Sequence, residues 1–203
     1  KGIDSVIVFV NLLPNVSVGN DTSICLKDSV QLVANGALNY VWTPNSSLNS
    51  DVIFNPMASP TDTIQYIVTG TDLNGCINKD SLNVSVKPLP VTTTGSLDSD
   101  ICFGDSTVIF ATGGISYFWS PLDDLSTPNE DSTQTIPSDT TTYFVTVTDV
   151  NNCSIIDSVT VNVNFLTTIE AGNDTSICLN DSVQLTGSGG VSFLWSPTTG
   201  LND

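Results

Sequence analysis

The sequence predicts an all-β fold of tandem sandwich domains, on three observations. Trp-centred segments recur: Tyr40-Val41-Trp42-Thr43-Pro44, Tyr117-Phe118-Trp119-Ser120-Pro121 and Phe193-Leu194-Trp195-Ser196-Pro197, with the tryptophans 77 and 76 residues apart. The cysteines keep the same steps, with Cys25, Cys102 and Cys178 as one series and Cys76 and Cys153 as a second. Between them run short β-branched stretches bounded by Gly, Pro, Asn and Asp, and no stretch has helical periodicity. A period this long is one small domain per repeat.

The repeat sets the boundaries. Residues 14–89 and 90–165 are two full units, and residues 166–203 match the first half of a further one. Residues 1–13 read as the last strand of a preceding repeat, because Asp4-Ser5-Val6-Ile7-Val8-Phe9-Val10 matches Asp80–Val86 and Asp157–Val163. Both ends are therefore expected to fall inside a domain, in a window of a longer array whose half-units would not fold alone. A full unit can bury only a modest core, so staples or neighbours should help it.

Within residues 90–165 the elements follow in order. Val91–Thr94 is a short first strand, and Cys102-Phe103-Gly104-Asp105 a turn. Ser106–Ala111 alternates and is β-branched, so it is a second strand. Gly113-Gly114 turns the chain into a third, Ser116–Ser120, which Pro121 ends. A polar loop leads to an edge strand, Ser132–Ile136. Thr141–Thr148 is a long alternating strand, Asp149–Asn152 a tight turn, and Asp157–Val163 the last strand. The matching turn of the first unit, Asp72-Leu73-Asn74-Gly75, contains the Asn-Gly hairpin signal. Six or seven short strands, a Trp on the third and a Tyr opening the sixth describe an immunoglobulin-like sandwich. Trp42, Trp119 and Trp195 each follow an aromatic by two residues, so both side chains face one way and a core position outweighs a sugar-stacking platform. Tyr66 and Tyr143 are expected in the core as corner tyrosines bonded to backbone.

Net charge is −17, with four Lys and no Arg or His. That argues against nucleic acid and anionic membrane surfaces, both of which call for basic residues. No apolar run reaches membrane-spanning length, so no direct membrane insertion is expected. Without His or a Cys-x-x-Cys pair, zinc is disfavoured. No nucleophile–base or separated-carboxylate constellation is present, so the segment is read as no enzyme.

Five cysteines at repeat spacing suggest an oxidising compartment. Two pairings fit. Within units, Cys25–Cys76 and Cys102–Cys153 would join. Between units, Cys25 would pair with Cys153, leaving Cys76, Cys102 and Cys178 to partners outside the window. In an immunoglobulin-like sandwich the two cysteines of one unit lie at opposite ends, roughly 27 Å apart over an eight-residue strand. A disulfide reaches about 6 Å between Cα atoms. Topology therefore favours the interdomain Cys25–Cys153 bond, provided the sandwich is wired on that plan.

The motif Cys-x-x-Asp-Ser-Val, then Trp-Ser/Thr-Pro, then Thr-x-Tyr-x-Val-Thr-x-Thr-Asp-x-Asn-Gly/Asn-Cys, then Asp-Ser-Val-x-Val-x-Val, spans essentially the whole chain. It resembles the PKD-like and Ig-like tandem repeats of giant Bacteroidetes surface proteins, including gliding-motility adhesins and type IX secretion cargo. In place of the Trp-Asp-Phe-Gly-Asp-Gly motif of true PKD domains the chain carries Trp-Ser/Thr-Pro. The resemblance implies a structural stalk of a cell-surface or secreted adhesin at the bacterial cell surface, projecting a distal tip. Its partners would be neighbouring repeats, with surface polysaccharide or other cell-surface proteins beyond them. It also implies O-glycosylation at Asp-Ser/Thr motifs: Ser5, Ser29, Thr63, Ser81, Ser106, Ser132, Thr140, Ser158 and Ser182. The same pairs also suit strand starts. Acidic positions Asp21, Asp98, Asp100, Asp123, Asp124 and Asp174 are weak calcium candidates without a fixed Asp-x-Asp-x-Asp loop, and no other cofactor is expected. The rival readings are a carbohydrate- or ligand-binding module array, accessory repeats of a large secreted enzyme, and filaments joined by edge strands. Exposed tryptophans would favour the first rival.

Overall fold

A computed structural model describes residues 3–202; Lys1, Gly2 and Asp203, at the outer ends of the 1–13 and 166–203 segments, lie outside the described residues. The first repeat carries β1 (Ser17–Val18), β2 (Thr22–Cys25), β3 (Val30–Gln31), β4 (Ala34–Asn35), β5 (Asn39–Thr43), β6 (Met57–Ala58), β7 (Ile64–Thr71) and β8 (Ile77–Lys87). The second carries β9 (Thr93–Ser96), β10 (Asp100–Cys102), β11 (Thr107–Thr112), β12 (Ser116–Ser120), β13 (Ser132–Thr135), β14 (Thr141–Thr148) and β15 (Ser154–Asn164). Among the described residues there is no helix.

Each repeat has one four-stranded sheet, ordered β2-β8-β7-β5 and β10-β15-β14-β12. Opposite it, the second repeat has the three-stranded sheet β13-β11-β9, while the first has two small ladders, β1-β4 and β3-β6. Alternation along β7 and β14 places every second residue inside, as a half-buried antiparallel strand requires. Trp42, Tyr66, Val68 and Val84 are fully buried in the first repeat, and Trp119, Tyr143, Val145, Val147 and Val161 in the second. Burying each such side chain contributes about 1.5–3 kcal/mol.

Packing divides the chain into two units. One holds residues up to Thr93 with Ala111–Phe118 and Val145–Asp157. The other holds Thr94–Phe110, Trp119–Phe144 and the chain from Ser158 onward.

The second strand is shifted by one residue, to Thr107–Thr112, the edge strand ends one residue early, at Thr135, and three further features differ from expectation. Cys102 opens the expected turn, with Asp105 N donating to Cys102 O, but it also ends an unexpected strand, β10, which runs parallel to β15 with Cys102 opposite Asn164. Three residues are too few to show alternation, and their partner lies about sixty positions away, so local pattern carries no sign of them. The last strand starts at Ser154 rather than Asp157, directly after Cys153. The first strand runs over Thr93–Ser96 rather than Val91–Thr94. Just before it, the chain presses on the next hairpin: a Cβ on Gly113 (φ +97°) would lie 2.0 Å from Val91 O. Gly36 (φ +89°) meets Asn15 O the same way, so a positive φ and a close backbone approach both demand glycine there.

Residues 3–13 carry no strand and expose Ile3, Val6, Val8, Val10 and Leu12, although Asp4–Val10 matches the strand sequences Asp80–Val86 and Asp157–Val163. Residues 166–202 hold only the isolated Glu170↔Ser188 bridge.

Candidate functional site

Two local structures recur around the cysteines. The first closes β2. Leu26 N donates to Lys87 O at 2.8 Å, Asp28 N donates to Cys25 O at 3.0 Å, and Lys27 takes φ +78°. At the end of β10, Phe103 N donates to Asn164 O at 2.9 Å, Asp105 N donates to Cys102 O at 3.0 Å, and Gly104 takes φ +90°. Around Cys178, Asp181 N donates to Cys178 O at 3.0 Å and Asn180 takes φ +70°. Each of these turns presents its cysteine at the end of a parallel edge strand or its sequence equivalent.

The second structure is the turn entering the last strand. Asp149 Oδ1 accepts from Asn151 N at 2.8 Å and from Cys153 N at 2.9 Å. Asp72 Oδ1 accepts from Asn74 N and Cys76 N at 2.8 and 2.9 Å. A short carboxylate thus replaces a backbone turn and fixes the cysteine at its exit. The Cys153 amide, first among its donors, holds the Asp149 carboxyl below its ordinary value, because hydrogen bonds to the charged form favour ionisation.

The structure joins one member of each kind. Cys25 and Cys153 form a disulfide with a Cα–Cα distance of 5.5 Å across 128 residues of sequence, and both lie in the first packing unit. Strand register shows why the alternative fails. Cys25 pairs with Lys87, the last residue of β8, whereas Cys76 precedes Ile77, its first. An eleven-residue strand spans roughly 36 Å, far beyond disulfide reach. Cys102 and Cys153 stand in the same relation to the ends of β15. Cys76 is a half-buried free thiol, and Cys102 and Cys178 are exposed ones. Beside the disulfide an open polar groove is lined by Ser23, Lys27, Asp28, Lys87 and Asn151, gathering two of the chain's four lysines.

The aromatic residues are core elements. Trp42 and Trp119 are 0% exposed, and their indole Nε1 groups donate to Ile53 O at 2.9 Å and Glu130 O at 3.0 Å. Neither can stack on a sugar. Trp195, in the segment without strands, is half-buried. The tyrosine expectation needs correction. Tyr66 and Tyr143 are buried, yet their hydroxyls meet side chains, Ser47 Oγ and Thr135 Oγ1, rather than backbone. They point into the sandwich, where hydroxyl partners from neighbouring segments lie within reach. The backbone-bonded tyrosines are Tyr40 and Tyr117, whose hydroxyls donate to Ala37 O and Gly114 O and accept from the same residues' N–H groups. The three-residue spacing to a Gly- or Ala-containing turn was the available signal.

The acidic candidates are spread over the surface. Asp21 binds Asn83 through N and Nδ2, and the backbone N–H lowers its carboxyl pKa most. Asp100 accepts from Asn162 Nδ2 and Ser99 Oγ. Asp98, Asp123, Asp124 and Asp174 are exposed. Among the described residues, no three metal-type ligands gather. All nine Asp-Ser/Thr hydroxyl residues are exposed. Thr63 and Thr140 also have structural tasks, since their Oγ1 atoms accept from Val86 N and Val163 N at 3.0 Å. Among the described residues, no helix is long and apolar enough to cross a membrane.

No protein-family model matches the chain, and no curated protein does. Solved structures do. The N-terminal eight Ig domains of Down Syndrome Cell Adhesion Molecule match with a TM-score of 0.51 at 13% identity, over 77% of this chain and 25% of that one. The chain thus spans about a quarter of that structure's length. The insect immune protein hemolin matches at 15% identity and TM-score 0.35, over 75% of this chain and 46% of its own. Murine CEACAM1b matches at 9% identity and TM-score 0.34, over 74% and 100%. The first likeness and the strand plan agree: this is an all-β chain of immunoglobulin-like β-sandwich fold.

Proposed function

We propose that the chain is a structural stalk segment of a large secreted or cell-surface adhesin, in which immunoglobulin-like repeats are stapled to one another and carry mechanical load. The repeats are residues 14–89 and 90–165, flanked by the last strand of one neighbour (1–13) and the first half of another (166–203). The motif resemblance favours a Bacteroidetes surface protein exported by type IX secretion and acting in gliding or adhesion, with O-glycans on its exposed Asp-Ser/Thr motifs. The segment is no enzyme in this reading, and its nearest partners are adjoining repeats.

The Cys25–Cys153 bond carries the proposal, because it ties a cysteine of one repeat to the other series' cysteine in the next. A bond inside each repeat would mainly stabilise a small core; a bond across repeats removes a hinge. Buried Trp42 and Trp119 count against a sugar-binding array. Mass spectrometry of a non-reduced digest of native protein tests the reading. A Cys25–Cys153 peptide is expected, and a Cys25–Cys76 peptide would overturn it.

A further inference from the structure

The cysteine turns come in complementary kinds, and the chain holds a spare of each. In the bonded pair, the β2-end turn at Cys25 receives the Asp-x-Asn-Asn-Cys turn at Cys153. The β10-end turn at Cys102 has the same backbone hydrogen bonds and carries a free, exposed thiol. The Asp-Leu-Asn-Gly-Cys turn at Cys76 reproduces the two carboxylate hydrogen bonds of the Cys153 turn, and its thiol is also free.

One difference marks the Cys102 turn. Phe103 and Phe165 stack there with ring centroids 5.5 Å apart and planes 25° apart, although both rings are about half exposed or more. The equivalent positions in the first repeat are Leu26 and Pro88. Two aromatic rings kept in water beside a thiol form an apolar platform that burial would stabilise.

We infer that Cys102, Phe103 and Phe165 form a docking seat for an Asp-x-Asn-Gly/Asn-Cys turn of another repeat, sealed by a disulfide to that turn's cysteine. The occupant follows from the first repeat, where the matching position already holds such a turn. The inference rests on the stapled-array reading and names the partner at its next junction. Sealing consumes two thiols. With oxidised glutathione as oxidant, one thiolate attacks it and releases a glutathione thiolate. The second thiolate then displaces the other glutathione from the mixed disulfide. Two protein thiols become one disulfide, and oxidised glutathione becomes two reduced molecules.

A second copy of the chain is a usable probe, because it offers the Cys76 turn. Cys178 is the internal control: it is exposed like Cys102 and also follows an Ile, but it has no strand or aromatic platform. The purified chain, equilibrated in a glutathione redox buffer, is digested without reduction and its intermolecular peptides are quantified. We expect Cys102–Cys76 links to exceed Cys178–Cys76 links by about tenfold, equivalent to ~1.4 kcal/mol. Phe103→Ser should bring the ratio towards one while the far-ultraviolet circular dichroism spectrum stays unchanged. Equal linking of Cys102 and Cys178, or dominant Cys102–Cys102 links, would overturn the seat. Cys25–Cys153 in the same digest separates the two ideas: if present without Cys102 preference, only the seat fails; if absent, the array reading fails.

Discussion

The two full repeats bury the same Trp and Tyr and make the same indole hydrogen bond, yet they close the opposite sheet differently. In the second repeat β11 pairs with β13 over four residues, including Ile109 with Thr133. In the first, the corresponding ladder shrinks to Val30↔Ala58 and Gln31↔Met57. The position equivalent to Thr133 is Pro56, which has no N–H to give. Its carbonyl still accepts from Leu32 N at 2.9 Å, and Phe54 O accepts from Ala34 N at 2.7 Å. Half of the ladder survives because proline keeps its acceptor. The buried tyrosine shows a second divergence. Thr135 serves Tyr143, but its equivalent is Ala58, and Ser47 serves Tyr66 instead. The large side chains are held, while their partners are exchanged between strands provided every buried hydroxyl stays satisfied.

The shared part should be the costliest to break. Trp42→Ala and Trp119→Ala are each expected to lose about 3–5 kcal/mol in urea unfolding; a loss under ~1 kcal/mol in either repeat would end the claim of equivalent cores. Gly113→Ala combines a positive φ with a backbone clash, so about 2 kcal/mol should be lost. Full-strength folding of that variant would mean the hairpin can move away from Val91. Thr135→Val keeps shape and removes the Tyr143 partner, at about 1–3 kcal/mol, and Ser47→Ala should behave alike for Tyr66. If Thr135→Val is silent, water or another hydroxyl replaces Thr135, and the exchange of partners is not a constraint. The smallest effect belongs to Pro56→Thr. Stability should change by less than ~1 kcal/mol, since the regained hydrogen bond is offset by a freer unfolded chain. Amide exchange at Leu32 and Ala34 should nevertheless slow, and unchanged rates would absolve the proline.

Most of this fold was legible because its signals are local. Ser116–Ser120 and Thr141–Thr148 have the bounds their alternation gives, and Gly36 and Gly113 mark turns by chemistry that no other residue tolerates easily. What escaped was non-local. Strand β10 is made by its pairing with the far end of β15, and nothing within Asp100–Cys102 announces it. The partners of Tyr66 and Tyr143 lie on segments whose approach depends on the finished sandwich. At the cysteines, the Asp-x-Asn-x-Cys turn could be read from sequence. The stacked Phe103 and Phe165 could not, because 62 residues separate them.

The disulfide also sets how far the chain can be drawn out. Cys153 follows Cys25 by 128 positions, a stretch that fully extended would measure roughly 430 Å. The bond holds their Cα atoms 5.5 Å apart. A tether gripped outside these two cysteines therefore transmits tension through one covalent shortcut, and none of that hidden length is released while the bond stands. Reduction would add the whole of it at the next unfolding event, which makes extensibility a property of the thiol–disulfide environment as well as of the sandwiches.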